Sequence, residues 1–203
     1  MKVLLINPPR ENEIIGNNPT IIEEERGFNP PLGLLYIASC LEKHSFYDVK
    51  VIDSQVEQLS YSELKAAVAA YNPDIVGLTA MTMTLIDVYK TVDLVKEADS
   101  STRVVLGGPH VNLFPEETMA NPKVDYLVLG EGEYTFKKLL DAIDGFERLS
   151  QISGVVFRNE KKIFLTDTPP YIEDLNVIPF PARHLVPYQK YSSLLAERDP
   201  VTT

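Results

Sequence analysis

Three short segments gather the residues of this chain that could do chemistry: Thr79-Ala80-Met81-Thr82-Met83, Gly107-Gly108-Pro109-His110 and Gly130-Glu131-Gly132-Glu133. Glu131, Glu133 and His110 are groups able to exchange a proton, so an acid/base enzyme is one reading, although no further partner constellation accompanies them. The glycines point elsewhere. A glycine at the end of a strand removes the side chain that would otherwise keep a flat ring or a second backbone at a distance. Taken singly, Gly107-Gly108 reads as a tight turn, Glu131 and Glu133 as acids favoured at a helix N-terminus, and Met81 and Met83 as core fillers. Taken together, three slender segments at equivalent places favour a bulky ligand.

The equivalence of those places comes from the elements that carry them. Short apolar runs rich in β-branched residues recur at Val3–Ile6, Val49–Ile52, Ile75–Leu78, Val104–Leu106 and Tyr126–Leu129, each followed by a helical pattern. The helices are predicted at Leu32–Lys43, Tyr61–Tyr71, Thr84–Ala98, a short one from Pro115, and Glu133–Ile143. Ser60 and Glu63 form a capping box, and Pro115 suits a first helical turn. Runs that do not alternate in polarity belong to strands covered on both faces. The expected fold is α/β: a doubly wound, flavodoxin-like (Rossmann-like) parallel sheet of five strands in the order 2-1-3-4-5. In such sheets ligands bind beyond the carboxyl ends of the strands, where all three segments fall.

The connection from Arg10 to Pro31 far exceeds the roughly 2–6 residues usual for such loops and contains Glu23-Glu24-Glu25. It is either a lid or docking surface on the ligand rim, or a solvated insertion. After Ile143 the alternation ends. Gly154–Arg158 and Lys162–Thr166 read as a hairpin, and residues 168–188 as a proline-rich strap held by Tyr171, Ile172, Leu175, Ile178 and Phe180. The division expected is residues 1–150 as the binding domain and 151–203 as hairpin and linker.

Of the 203 residues 44% are hydrophobic and 24% charged, with a net charge of -10, the balance of a soluble globular chain poorly suited to nucleic acid or an anionic membrane. No apolar run has the length of a membrane span, and residues 1–7 read as a strand and not a signal peptide, so a cytoplasmic protein is expected. Cys40, the single cysteine, falls on a helical pattern and reads as a buried small hydrophobe. A nicotinamide site needs glycines after the first strand, where this chain has Asn7-Pro8-Pro9-Arg10. Asp53 then reads as a hydrogen-bond acceptor at a strand end. A phosphoacceptor receiver needs a carboxylate at Thr79, and a flavin phosphate cradle is missing after strand one.

The succession Asn7-Pro-Pro9, Pro30-Pro-Leu-Gly-Leu-Leu-Tyr36, Val51-Ile-Asp53, Pro73-Asp-Ile-Val-Gly77, Leu106-Gly-Gly-Pro-His110, Gly130-Glu-Gly-Glu133, Ile152-Ser-Gly154 and Pro179-Phe-Pro-Ala-Arg183 resembles the N-terminal cobalamin-binding domain of cobalamin-dependent radical S-adenosylmethionine enzymes. Methyltransferases and the anaerobic magnesium-protoporphyrin monomethyl ester cyclase are similar in this region. The resemblance implies that the dimethylbenzimidazole tail of cobalamin enters beside Thr79 to Thr82 and Gly107 to His110, with Gly130 to Glu133 as a third wall. On that reading a valine at Gly108 is expected to block the tail and leave the fold intact. The D-x-H-x-x-G motif that supplies a cobalt-ligating histidine in the methionine-synthase type is replaced here by Asn7-Pro8-Pro9-Arg10, which implies base-off cobalamin with no histidine ligand from that place. His44 and His184 read as structural or surface groups. The C-x-x-x-C-x-x-C motif of the radical domain does not occur. In the family it follows shortly after a stretch like Pro200-Val-Thr-Thr203, so this chain is expected to bind and not to catalyse. The four-iron cluster and S-adenosylmethionine would belong to a radical domain in cis. A cofactor-free interaction module, docking through the long loop and the strap, is the alternative from another class.

Overall fold

The computed structural model describes residues 1–16, 19, 27–145, 148–160 and 162–192. Strands β1 (Lys2–Asn7), β2 (Asp48–Asp53), β3 (Ile75–Thr79), β4 (Arg103–Gly107) and β5 (Tyr126–Val128) form a parallel sheet in the order β2-β1-β3-β4-β5. The interleaved helices are α1 (Leu32–His44), α2 (Tyr61–Tyr71), α3 (Leu85–Ala98), α4 (Pro109–Leu113), α5 (Pro115–Ala120) and α6 (Gly132–Ile143). The expected order and class are thus observed. No helix among the described residues is long and apolar enough to cross a membrane.

The sheet does not stop at β5. Strand β6 (Val155–Asn159) pairs antiparallel with β5, and β7 (Lys162–Leu165) with β6, so the hairpin extends one seven-stranded sheet. Alternate residues sort the core onto its two faces. Val3, Leu5, Val105 and Val128 pack under α1 and α6, while Leu4, Ile6, Val76, Leu106 and Leu127 pack under α2, α3 and the short helices. The capping box forms as expected: the Ser60 amide donates to Glu63 Oε2 (2.9 Å), and the Glu63 amide to Ser60 Oγ (3.3 Å).

Two expectations need correction. Pro109–Leu113 is a helical turn, not part of an open loop, because a proline at the first position is preset for helix. The strap is held only in part by the residues expected: Ile172 and Ile178 are half-buried but Tyr171, Leu175 and Phe180 are exposed, whereas Ala182, Val186 and, just past its expected end, Tyr191 are buried. Its backbone is tied at Ala182, whose amide donates to the Leu35 carbonyl of α1 (3.0 Å). Of the long loop, Glu23–Glu25 lie outside the described residues, as does Pro200–Thr203. Its described start is fixed. The Asn12 amide and side chain donate to buried Asp87, Tyr61 Oη donates to the same carboxylate, and the Ile14 amide donates to the Met83 carbonyl (2.8 Å).

Candidate functional site

On the sheet face covered by α1 and α6, two rows of side-chain positions cross the central strands. In one row Leu5 pairs with Gly77 and Gly77 with Val105; in the next, toward the carboxyl edge, Thr79 pairs with Gly107. Each row therefore has one position without a side chain. Over them a slot of about 450 Å³ opens between Leu32–Ile37 of α1 and Gly132–Phe136 of α6, with Glu13, Met81, Met83 and Glu131 at its mouth. That size and that apolar lining are those of a small-molecule site.

The glycines do different work. A Cβ at Gly77 would stand 2.7 Å from Leu5 Cδ2 and 3.2 Å from Phe136 Cζ, so its absence keeps the slot floor open. At Gly107 a Cβ would meet only the Val128 carbonyl, at an ordinary 3.7 Å, and would otherwise project into the slot. Gly108 has φ +100° and ψ -179°, a conformation confined to glycine, and a Cβ there would lie 2.9 Å from the Ala80 carbonyl oxygen. A valine at 108 therefore strains the turn itself. It does not separate folding from binding, contrary to the sequence expectation. Asn112 locks two of the loops together: it accepts from the Gly130 amide (2.7 Å) and donates to the Gly108 carbonyl (3.0 Å).

Of the residues singled out in the sequence, Thr79, Met81, Met83, Gly107, Gly108, Gly130, Glu131, Gly132 and Glu133 line the slot. Ala80, Thr82, Pro109 and His110 do not. Ala80 is buried, its carbonyl accepting the His110 amide (3.0 Å), and the His110 ring lies buried beside Phe114 with Nδ1 3.0 Å from Thr82 Oγ1. Because α4 begins at Pro109, its first turn carries His110 away from the slot. Glu131 Oε2 accepts the Ile172 amide from the strap (2.6 Å). The three groups of the acid/base reading therefore do not converge. His184 pairs with Glu42 at the surface (2.9 Å), and His44 lies beside Tyr134.

Sequence reasoning missed Leu5, Gly77, Val105, Ile37 and Phe136. The available signal was Gly77 itself, a glycine inside a run that must lie in the middle of the sheet, where it marks close approach. Glu133 Oε2 is buried and has no hydrogen-bond partner. Cys40, behind it on α1, is buried, and its thiol is pushed up to about 11 by that burial and then by the Glu133 carboxylate. No side chain caps the N-terminus of α1 at the slot mouth; the Leu32 amide turns back to the Pro30 carbonyl (2.8 Å), which leaves the Gly33 and Leu34 N–H groups to face an anion.

At the β1–β2 side of the rim, Asp53 is fully enclosed. It accepts from Tyr191 Oη (2.7 Å), Asn7 Nδ2 (2.8 Å) and the Gln55 amide (3.2 Å). Burial raises its pKa, and these hydrogen bonds pull it back down. The expected strand-end acceptor is present, and it joins the strap to Asn7 and Gln55, which both line the slot.

Comparison with known proteins agrees with this geometry. Residues 20–140 match the model of the B12 binding domain. The chain is 37% identical over 197 residues to an uncharacterized methyltransferase of Pyrococcus horikoshii, covering 95% of this chain and 40% of that protein. It is 29% identical over 199 residues to the anaerobic magnesium-protoporphyrin IX monomethyl ester cyclase of Rubrivivax gelatinosus, covering 94% of this chain and 34% of that one. The chain thus spans two fifths or less of these relatives. The cobalamin-dependent S-adenosylmethionine radical enzyme OxsB with aqua-cobalamin bound shares the fold, with a TM-score of 0.72 at 20% identity over 89% of this chain and 24% of that one. The radical S-adenosylmethionine methyltransferase TsrM of Kitasatospora setae does so with a TM-score of 0.64 at 19% identity over 82% of this chain and 30% of that one. A parallel sheet slotted over Gly77 and Gly107, and a family match across most of that sheet, make this chain a member of the B12 binding domain family.

Proposed function

We propose that this chain holds cobalamin base-off, with the nucleotide tail in the slot between α1 and α6 and the corrin over the rim. The observation that carries the reading is the pair of glycine positions, Gly77 and Gly107, in adjacent rows of the sheet. They open an apolar slot over the sheet next to the carboxyl ends of its central strands, the side on which doubly wound sheets bind ligands. The residues fit the group. Leu5, Val105 and Phe136 offer apolar walls to a planar base, while the α1 N-terminus and Thr79 offer donors to a phosphodiester. Glu131, whose Oε2 is held by the Ile172 amide, offers its other carboxylate oxygen to a primary amide at the mouth. When bound, cobalamin supplies the methyl-transfer or redox chemistry. The chain's own residues bind it, orient it and exclude water from its tail. The remainder of the protein would be a radical S-adenosylmethionine domain in cis carrying a four-iron cluster, in a methyltransferase or an oxidative cyclase. Residues 1–150 would hold the cofactor and residues 151–203 would lead toward that domain.

Titration with hydroxocobalamin, followed by visible absorption and gel filtration, should give a coloured complex that co-elutes with the protein. A folded chain that leaves the cofactor in the included volume refutes the proposal. The cobalt should also lack a protein imidazole, because no histidine lines the slot. In the Co(II) form, paramagnetic resonance should show no splitting from an axial nitrogen. Such a splitting, abolished by His110→Ala, would place His110 beneath the metal and overturn this part.

A further inference from the structure

Strand β3 is the middle strand of the five parallel ones, and its Gly77 and Thr79 belong to the two rows that floor the slot. The chain that continues β3 past the carboxyl edge therefore stands over the middle of the rim. It is held there at three points. The Ala80 amide donates to the Gly107 carbonyl (2.7 Å), the Thr84 amide to the Met81 carbonyl (3.1 Å), and the Ile14 amide to the Met83 carbonyl (2.8 Å). The backbone of this one-turn 3-10 helix (Thr82–Thr84) is thus fixed, yet the side chains of Met81 and Met83 are exposed and line the slot mouth. Ile14, joined to Met83 by that hydrogen bond, and Ile86, three residues on, are exposed as well. Apolar side chains gathered in the open at the mouth of a ligand site mark a surface that the ligand covers.

The tail of a corrinoid leaves the macrocycle on the side of its lower face, so a tail seated in the slot turns that face toward the mouth. With the base withdrawn and no histidine lining the slot, the lower axial position of the cobalt is left to water or to nothing. Of the side chains named at the mouth, two are carboxylates, Glu131 being held by the Ile172 amide, and two are methionines. Against the methionines a cobalt-bound water would point its hydrogens at thioether sulfurs, which are weak acceptors, and would lose the hydrogen bonds it makes in solvent. An unbranched methionine also adapts well to a broad flat surface. We propose that Met81 and Met83 cover the lower face of the cobalt and keep water from it, without ligating the metal. This rests on the assignment of the slot to a corrinoid tail. It gives the turn after β3 a task distinct from that of the slot: the slot holds the tail, and the two methionines set the coordination number of the metal.

The test binds hydroxocobalamin to wild type, to the double variant Met81→Ala/Met83→Ala and to Met81→Leu/Met83→Leu, after urea melts have shown equal stability, and reduces each complex to Co(II). Cobinamide, a corrinoid without the nucleotide, gives the reference spectrum in buffer with water on the metal. Wild type should show the wider paramagnetic resonance of cobalt whose axial position is empty. In the alanine pair the ratio of that form to the water-bound one should fall about tenfold or more, since the water then keeps its hydrogen bonds to solvent. The leucine pair, apolar and of similar volume, should keep the wild-type spectrum. A wild-type spectrum identical to that of aqueous cobinamide would overturn the inference, as would an alanine pair that keeps the wild-type spectrum. So would a leucine pair that behaves like the alanine pair, which would put a sulfur on the cobalt. Cobalamin that stays unbound beside folded wild type would instead overturn the assignment of the slot itself.

Discussion

Gly107→Leu should cost the chain about a hundredfold in cobalamin affinity and almost nothing in stability. The position is extended, and a Cβ there meets only the Val128 carbonyl at 3.7 Å, so the backbone accepts a side chain. The leucine then occupies the slot in the row above Gly77 and excludes the base. Removing about 100 Å² of apolar burial at about 25 cal/mol per Å² forfeits roughly 2.5 kcal/mol, close to two powers of ten in affinity. Cobinamide, which has no tail to displace, should bind the variant as it binds wild type. Absorption titrations with both corrinoids, beside urea melts, check the prediction. Unchanged cobalamin affinity in a stable Gly107→Leu protein would put the tail elsewhere.

The second large effect belongs to the strap. Tyr191→Phe should lower stability by about 2 kcal/mol near neutral pH, since it deprives an enclosed carboxylate of a donor. The loss should depend on pH with a definite sign. Burial already lifts the folded pKa of Asp53 above its ordinary value, so its ionisation works against the fold. The associated stability is complete below the ordinary carboxylate pKa and declines as pH rises through the raised one. The tyrosine hydroxyl is one of the contacts that hold the shift down, and its removal raises that pKa further. The difference between variant and wild type should therefore be smallest in acid and grow with pH across the raised range of Asp53. Urea melts at a series of pH values measure it, and a difference independent of pH would show that Asp53 is not the group Tyr191 serves.

The sheet order and most helices are legible in the sequence because they depend on local pattern: unalternating apolar runs, a capping box at Ser60, a proline at 115. The rim segments are legible for the same reason, since strand ends are visible as runs stopping in glycine. What escapes depends on partners distant in sequence. Gly77 matters because Leu5 and Val105 flank it and Phe136 overlies it, and none of those neighbours can be assigned before the strands are paired. Tyr191 matters because the strap returns to the β1–β2 edge. The direction of His110 depends on where one short helix starts. The hairpin's place beside β5 is likewise a pairing across the sheet, while its existence as a hairpin is local.

The sheet is sealed on one side and split on the other. The face under α2 and α3 holds an unbroken core, whereas the face under α1 and α6 is interrupted at its centre by the slot. Local opening free energy follows buried apolar contact, so the ends of α1 and α6 that border the slot have contact still to gain. At the slot, helices α1 and α6 stand over a gap where the far layer has packed side chains. A molecule that fills the slot completes that part of the core, so its binding should slow hydrogen exchange along α1 and α6 and couple retention of the ligand to the firmness of those two helices.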